Sequence, residues 1–400
     1  MAYFLVQTII VSAYFIIHRQ QLTYWHLARP TNLFFFFYAL FFLVPQAFIY
    51  FNDYSLLGFE SASIQVRQSA FFISQVYLTI CLTIITLIFF LSPRNPSTKD
   101  YSDFKLSLSD RERIINYGCM AIGGISAYLL SQISFTARSE LVSTPQGKAL
   151  YSLSFLLSIS ATIAMTESLI SRKWAKFTIF IFLLIVMFLP LGGRGRIVLP
   201  IFISIISCFI LGNKKISLTH GTLAIAGFFF LQILDPIILF LRGYSPMEAY
   251  DYYLKHTEVA TMFLQRTFDS FHNFTVISYY DSIQKDIGYI LGGGSSEFMR
   301  EYFYDTYLVG IGFPASFFGE LWLAGGTTAL VLGSSLFAAF VIHLDKAYLK
   351  NWKSLIKLVS LITIFLWLCN TGLAYFDQGL KVIAIIIVTL GYTVALKVRI

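Results

Sequence analysis

The chain has 400 residues, 57% of them hydrophobic and only 12% charged, with a mean hydropathy of +0.71 and a formal net charge of +8. A soluble domain carries about 25% charged residues, so this composition excludes a water-soluble globular protein. The positive charge does not mark a nucleic-acid binder either, because the basic residues are scattered over short loops between apolar runs, as membrane topology requires.

The apolar runs recur from end to end, and each is long enough to cross a hydrocarbon core of about 30 Å as a helix. They are continuous rather than alternating, which excludes a β-barrel and leaves helices. In chain order the predicted spans are 2–17, 32–51, 68–92, 114–133, 149–170, 177–191, 197–212, 219–241, 314–342, 354–375 and 379–396. The expected fold is therefore an all-α polytopic membrane protein of about eleven transmembrane helices (10–12), residues 1–400 forming a single membrane domain. The sixth and seventh spans are short, and a tilt or a partly re-entrant path suits them. The first segment has no basic region ahead of it and reads as a retained span, not a cleaved signal peptide. Cys81, Cys119, Cys208 and Cys369 all sit inside apolar runs, at no metal-ligand spacing, and read as small core residues.

Orientation follows from Lys and Arg. Of the 29, 18 fall in the odd-numbered loops and the C-terminal segment, counting Lys357 at the edge of the tenth span, and 10 in the even-numbered loops. The odd loops are thus expected on the cytoplasmic side, with the N-terminus outside. Two segments then face outward. One is the turn Gly192-Gly193-Arg194-Gly195-Arg196. The other is a loop from 242 to 313, too long for a simple connection, rich in Tyr and Phe, and containing a predicted helix over 258–281.

Arg194 and Arg196 interrupt an apolar stretch, where arginine is costly and often functional. The glycines allow a tight turn, the next helix offers its N-terminal N–H groups to an anion, and guanidinium forks suit phosphate. A diphosphate clamp is one reading; a basic turn that snorkels to lipid headgroups is the other. In the long loop, Arg266, Asp269 and His272 are spaced i, i+3, i+6 and share a helix face. That sets a phosphate-binding arginine beside two candidate proton acceptors, or else forms an ordinary polar face. Glu320, in Phe317-Phe318-Gly319-Glu320-Leu321, is expected near the outer end of the ninth span, and Asp235 in the eighth. Each is a catalytic candidate or a structural partner of an arginine. Arg242, Arg300, Arg138, His256, Tyr279 and Tyr280 complete the candidate substrate-binding set. Gly292-Gly293-Gly294 lacks the lysine of a P-loop and reads as a hinge. No Asp-x-Asp pair or ligand spacing predicts a metal, and no cofactor is expected.

The span layout, the Gly-Gly-Arg-Gly-Arg turn, the long outer loop with Arg266, and the segment Pro314–Gly326 with its Ser…Gly-Glu…Gly pattern together resemble the Wzy-type polymerases of bacterial O-antigen and capsular polysaccharide. An outside N-terminus departs from the usual inside one. The resemblance implies a GT-C-like architecture in the bacterial inner membrane, with the site on the periplasmic face. It implies a metal-independent glycosyl transfer between undecaprenyl-diphosphate-linked oligosaccharides, arginines stabilising the leaving lipid diphosphate. A chain-length regulator protein and membrane lipids are the implied partners. An O-antigen ligase acting on lipid A-core is the nearest alternative, and a polysaccharide or lipid flippase a more distant one. A polyprenyl-monophosphate glycosyltransferase usually has an acidic pair in the first outer loop; residues 18–31 contain no acid, and the next loop has only the separated Asp53 and Glu60.

Overall fold

The computed structural model describes residues 2–17, 29–51, 63–92, 108–132, 144–189, 191, 194–211, 245, 247, 270–279, 316–351 and 355–370. Among these there is no strand. The helices are α1 (Ala2–Ile17), α2 (Pro30–Tyr38), α3 (Val44–Phe51), α4 (Ile64–Leu91), α5 (Asp110–Ser131), α6 (Pro145–Leu153), α7 (Phe155–Ile170), α8 (Trp174–Phe188), α9 (Arg194–Leu211), α10 (270–279), α11 (Ser316–Asn351) and α12 (Leu355–Asn370). The stretches Pro30–Phe51, Ile64–Leu91, Asp110–Ser131, Pro145–Ile170 and Ser316–Lys346 are long and apolar enough to cross a membrane; Ala2–Ile17, Trp174–Phe188 and Leu199–Phe209 are shorter apolar helices. Large apolar side chains lie exposed along outer faces, Leu332, Leu336 and Phe340 on α11 and Ile179, Phe182 and Val186 on α8. Such stripes suit hydrocarbon, not water. Over its described residues the chain is an all-helical membrane protein. The expected spans 219–241 and 379–396 lie outside the described residues.

Local chemistry explains the element ends. Ser109 and Glu112 form a reciprocal capping box at the start of α5. Thr144 caps α6, with Pro145 at its first position. Between α2 and α3 the helix widens to a π-turn over Ala39–Leu43. Pro45 has no N–H for the carbonyl of Phe41, and the wider turn absorbs that gap.

Contacts between helix ends set relative directions. Tyr3 packs on Phe72 and Gln7 bonds to Gln75 and Thr79, so α1 and α4 run parallel. Tyr14 donates to Asn32 and Tyr38 to Gln7, so α2 runs against them. Arg113 pairs with Glu167 at 2.9 Å, so α5 opposes α7. Ser158 donates to the carbonyl of Arg196, so α7 and α9 start at the same end. Arg29 pairs with Asp345 at 2.7 Å, bringing the start of α2 to the far end of α11.

Helix α7 divides the interior. Phe155, Ile159 and Ile163 face a large aromatic core made with α1–α4 and α10–α12. Leu157, Ala161, Ala164 and Met165 face a second core with α5, α6, α8 and α9. At Gly123 of α5 the two helices approach closely: a Cβ there would overlap the backbone nitrogen of Leu157.

The ninth predicted span, 314–342, is not one straight crossing. In an unbroken helix residues 12 and 20 apart lie about 18 and 30 Å from each other. Here a Cβ on Gly333 would overlap the Leu321 side chain, and the Phe317 and Phe337 rings lie 4.5 Å apart. The chain therefore reverses at Gly325–Gly326, where Gly326 has φ 60° and ψ −143°, a conformation open essentially to glycine. A short arm, 316–324, folds back along the limb that begins at 327. That limb, from 327 to 346, still reaches about 30 Å.

Candidate functional site

The most concentrated chemistry lies where the start of α9 meets the break between α6 and α7. Helix α6 stops at Leu153, and the Ser154 hydroxyl donates to the Tyr151 carbonyl at 2.7 Å. Helix α9 carries Pro200 inside it. Proline offers no N–H to the carbonyl four residues back, which is that of Arg196. The Ser158 hydroxyl, 2.8 Å away, supplies the missing donor. Ser204 in turn donates to the Pro200 carbonyl at 2.6 Å.

The Arg196 side chain turns into the bundle and is only 6% exposed. Its guanidinium carbon stands 3.7 Å from the centre of the Tyr151 ring, 5.4 Å from Phe188 and 6.0 Å from Phe155. Nη1 donates to the Ser154 hydroxyl. Aromatic faces stabilise a desolvated cation, which is how a membrane interior tolerates it. The positive end of α9 adds to the same field. The sequence suggested a turn tip for this residue; the structure starts the helix at Arg194 and encloses Arg196. Beside it, a crevice of about 20 Å³ runs between α7, α9 and α12, lined by Phe155, Ser158, Thr162, Pro200 and Thr363 among others. That is room for about one water molecule.

His272 lies on α10, which docks on the first half of α4. Thr275 donates to Ser74 at 3.2 Å, and Phe271 meets Phe71 edge to face at 5.9 Å. Burial pushes the imidazole down to about 4 from its ordinary 6.5. At neutral pH the ring is uncharged, and a value so far below the working pH makes it a weak base in this arrangement. Tyr279, partly buried, closes the described part of the same helix.

Glu320 is 4% exposed on the returning arm of α11. The arm is seated by Phe318, whose ring meets Tyr38 and Phe42 edge to face. Glu320 therefore lies inside the packed helices and not at the outer end of a straight span. Its register partner on the limb is Ser334, which is fully buried.

The described candidates are thus distributed over three places: Arg194 and Arg196 at the start of α9, His272 and Tyr279 on α10, Glu320 on the α11 arm. Arg138, Arg242, His256, Arg266, Asp269, Tyr280 and Arg300, with Asp235, lie outside the described residues. Among the described residues no three His, Cys, Asp or Glu side chains cluster as metal ligands.

Sequence reasoning missed a buried amide network. Gln7 Oε1 accepts from Tyr38 (2.8 Å) and from Gln46 Nε2 (2.9 Å), and Gln7 Nε2 donates to Thr79 Oγ1 (2.9 Å). Gln75 Nε2 donates to Gln46 Oε1 at 3.2 Å. Three amides inside three predicted spans were the available signal. Nothing in the sequence pointed to Tyr151 as the platform for Arg196.

No protein-family model matches the chain, and no curated protein or solved structure matches it at a significant level.

Proposed function

We propose that the chain polymerises undecaprenyl-diphosphate-linked oligosaccharide repeat units on the outer face of the bacterial inner membrane. The observation that carries this reading is the start of α9: a helix N-terminus with Arg194 in its first turn, and a second arginine held as a buried cation beside it. Positive charge of that kind, fixed in a low-dielectric setting, suits a leaving group whose negative charge grows in the transition state. A hydroxyl of the acceptor attacks the donor's anomeric carbon, the bond to the lipid diphosphate breaks, and the hydroxyl proton passes to a base. Glu320, Asp269 and His272 remain the candidates for that base; His272 would need a setting that raises it from about 4. The expected topology, with the odd-numbered spans beginning outside, puts the starts of α4, α7 and α9 and the 242–313 loop on one face.

The folded-back arm of α11 favours a second reading. Broken helices with glycine tips line the substrate paths of transporters, so a flippase for a lipid-linked glycan is the alternative. An O-antigen ligase would share the donor and differ only in taking lipid A-core. A strain lacking the protein separates these readings. A polymerase loses the ladder of longer chains but keeps single repeats on the surface; a ligase loses all surface-attached glycan; a flippase traps lipid-linked repeats in the inner leaflet.

A further inference from the structure

We infer that Arg196 is a positioning residue: it pins the start of α9 to both sides of the α6–α7 break, and so sets where Arg194 and the α9 N-terminus meet an anion. The inference rests on the diphosphate reading above.

Arg196 holds three places at once. Its guanidinium lies over Tyr151, on α6. Its Nη1 meets Ser154, the residue at the break. Its carbonyl takes the Ser158 hydroxyl, on the first turn of α7. Tyr151 is 2% exposed and Ser154 and Phe188 are fully buried, so the aromatic platform is closed around the cation. For Arg196 to fork a phosphate, the guanidinium would have to leave the Tyr151 face and the Ser154 hydroxyl together. As the structure stands it acts on the ligand only through the placement of the helix that carries it. Pro200 makes that placement matter more. The helix ladder is open at the Arg196 carbonyl, and the α7 hydroxyl, not α9 itself, closes it.

The test measures inorganic pyrophosphate binding to the full chain in lipid nanodiscs, alongside kcat and KM for lipid-linked repeats. Tyr151→Leu should weaken pyrophosphate binding about tenfold, the scale of a desolvated cation–ring contact, although Tyr151 touches no ligand. Arg196→Ala should lose a similar factor, and the double variant should be no weaker than Arg196→Ala alone. Arg196→Lys should recover most of the affinity, because an ammonium keeps a cation over the ring; a residue that forks the phosphate would not be rescued by lysine. Ser154→Ala removes one tether and no ring. It serves as the milder variant should Tyr151→Leu fail to fold, with a smaller loss of the same kind. Wild-type affinity in Tyr151→Leu and Ser154→Ala, with binding lost in both Arg196→Ala and Arg196→Lys, would overturn the positioning role and make Arg196 a direct ligand contact. Undiminished binding in Arg194→Ala, Arg196→Ala and Tyr151→Leu alike would instead overturn the diphosphate reading itself.

Discussion

The two cores flanking α7 bury polarity by opposite means. In the α1–α4 core three glutamines, a tyrosine and a threonine satisfy one another, and no net charge is present in the network. In the α5–α9 core a single guanidinium is stacked on rings, with serines at the backbone breaks beside it. The first arrangement closes on itself and leaves nothing over for a ligand, so it reads as interhelical glue. The second encloses a cation against rings and ties it to the start of α9, the helix end that an anion would meet. In a membrane interior a neutral polar network fastens helices, whereas a retained charge points to function.

The comparison breaks most sharply at Gln7. Gln7→Leu leaves the amide of Gln46 and the hydroxyl of Tyr38 without their acceptor. A loss of about 2–4 kcal/mol in unfolding stability is expected, measured by denaturant titration in detergent, with glycan synthesis lost only in proportion to folded protein. Gly123→Ala comes next. The new methyl meets the Leu157 backbone, which cannot give way as a side chain would, and overpacking of roughly 1–3 kcal/mol should appear as a lower Tm. The second core would loosen while the glutamine network stayed intact.

Most helix positions were legible beforehand, because long apolar runs announce spans whatever the tertiary contacts. The predicted spans 68–92 and 114–133 and the observed helices Ile64–Leu91 and Asp110–Ser131 differ by a few residues at their ends, where caps such as Ser63 and Ser109 decide the boundary. The fold-back of α11 was not legible as a reversal. Hydropathy registers apolar length and not direction, and an arm packed on its own limb is as apolar as a span; Gly325-Gly326 was the one local sign. The α9 arginines stood out as charges in an apolar stretch. That Arg196 turns inward depends on Tyr151 and Ser154, more than 40 residues away in sequence and joined to it only by tertiary packing.

His272 sharpens the comparison through pH. Its value in the folded chain, about 4, lies below the ordinary 6.5, so the unfolded chain takes up the proton first. Stability should be full above about 6.5 and fall toward pH 4, by at most about 1.4 kcal/mol per pH unit. His272→Asn should flatten that slope in thermal melts run between pH 7 and 4; an unchanged slope would mean that the ring is not held neutral by burial. The smallest effect is expected at the opposite end of the bundle. Asp345→Asn weakens the pair with Arg29, whose members are 28% and 13% exposed, at a cost of about 1 kcal/mol and no change in ladder length.

In the proposed reaction, polymerisation is metal-independent and driven by arginine charge at the start of α9. Its most direct test places purified protein in liposomes with an undecaprenyl-diphosphate-linked repeat unit, excess EDTA and no lipid A-core acceptor, and reads the products on a gel. A ladder of lengthening chains is expected from the wild-type protein, reduced roughly a hundredfold in rate by Arg194→Ala, the scale of losing one transition-state donor. Repeat units that stay single, or that only change leaflet, would contradict it.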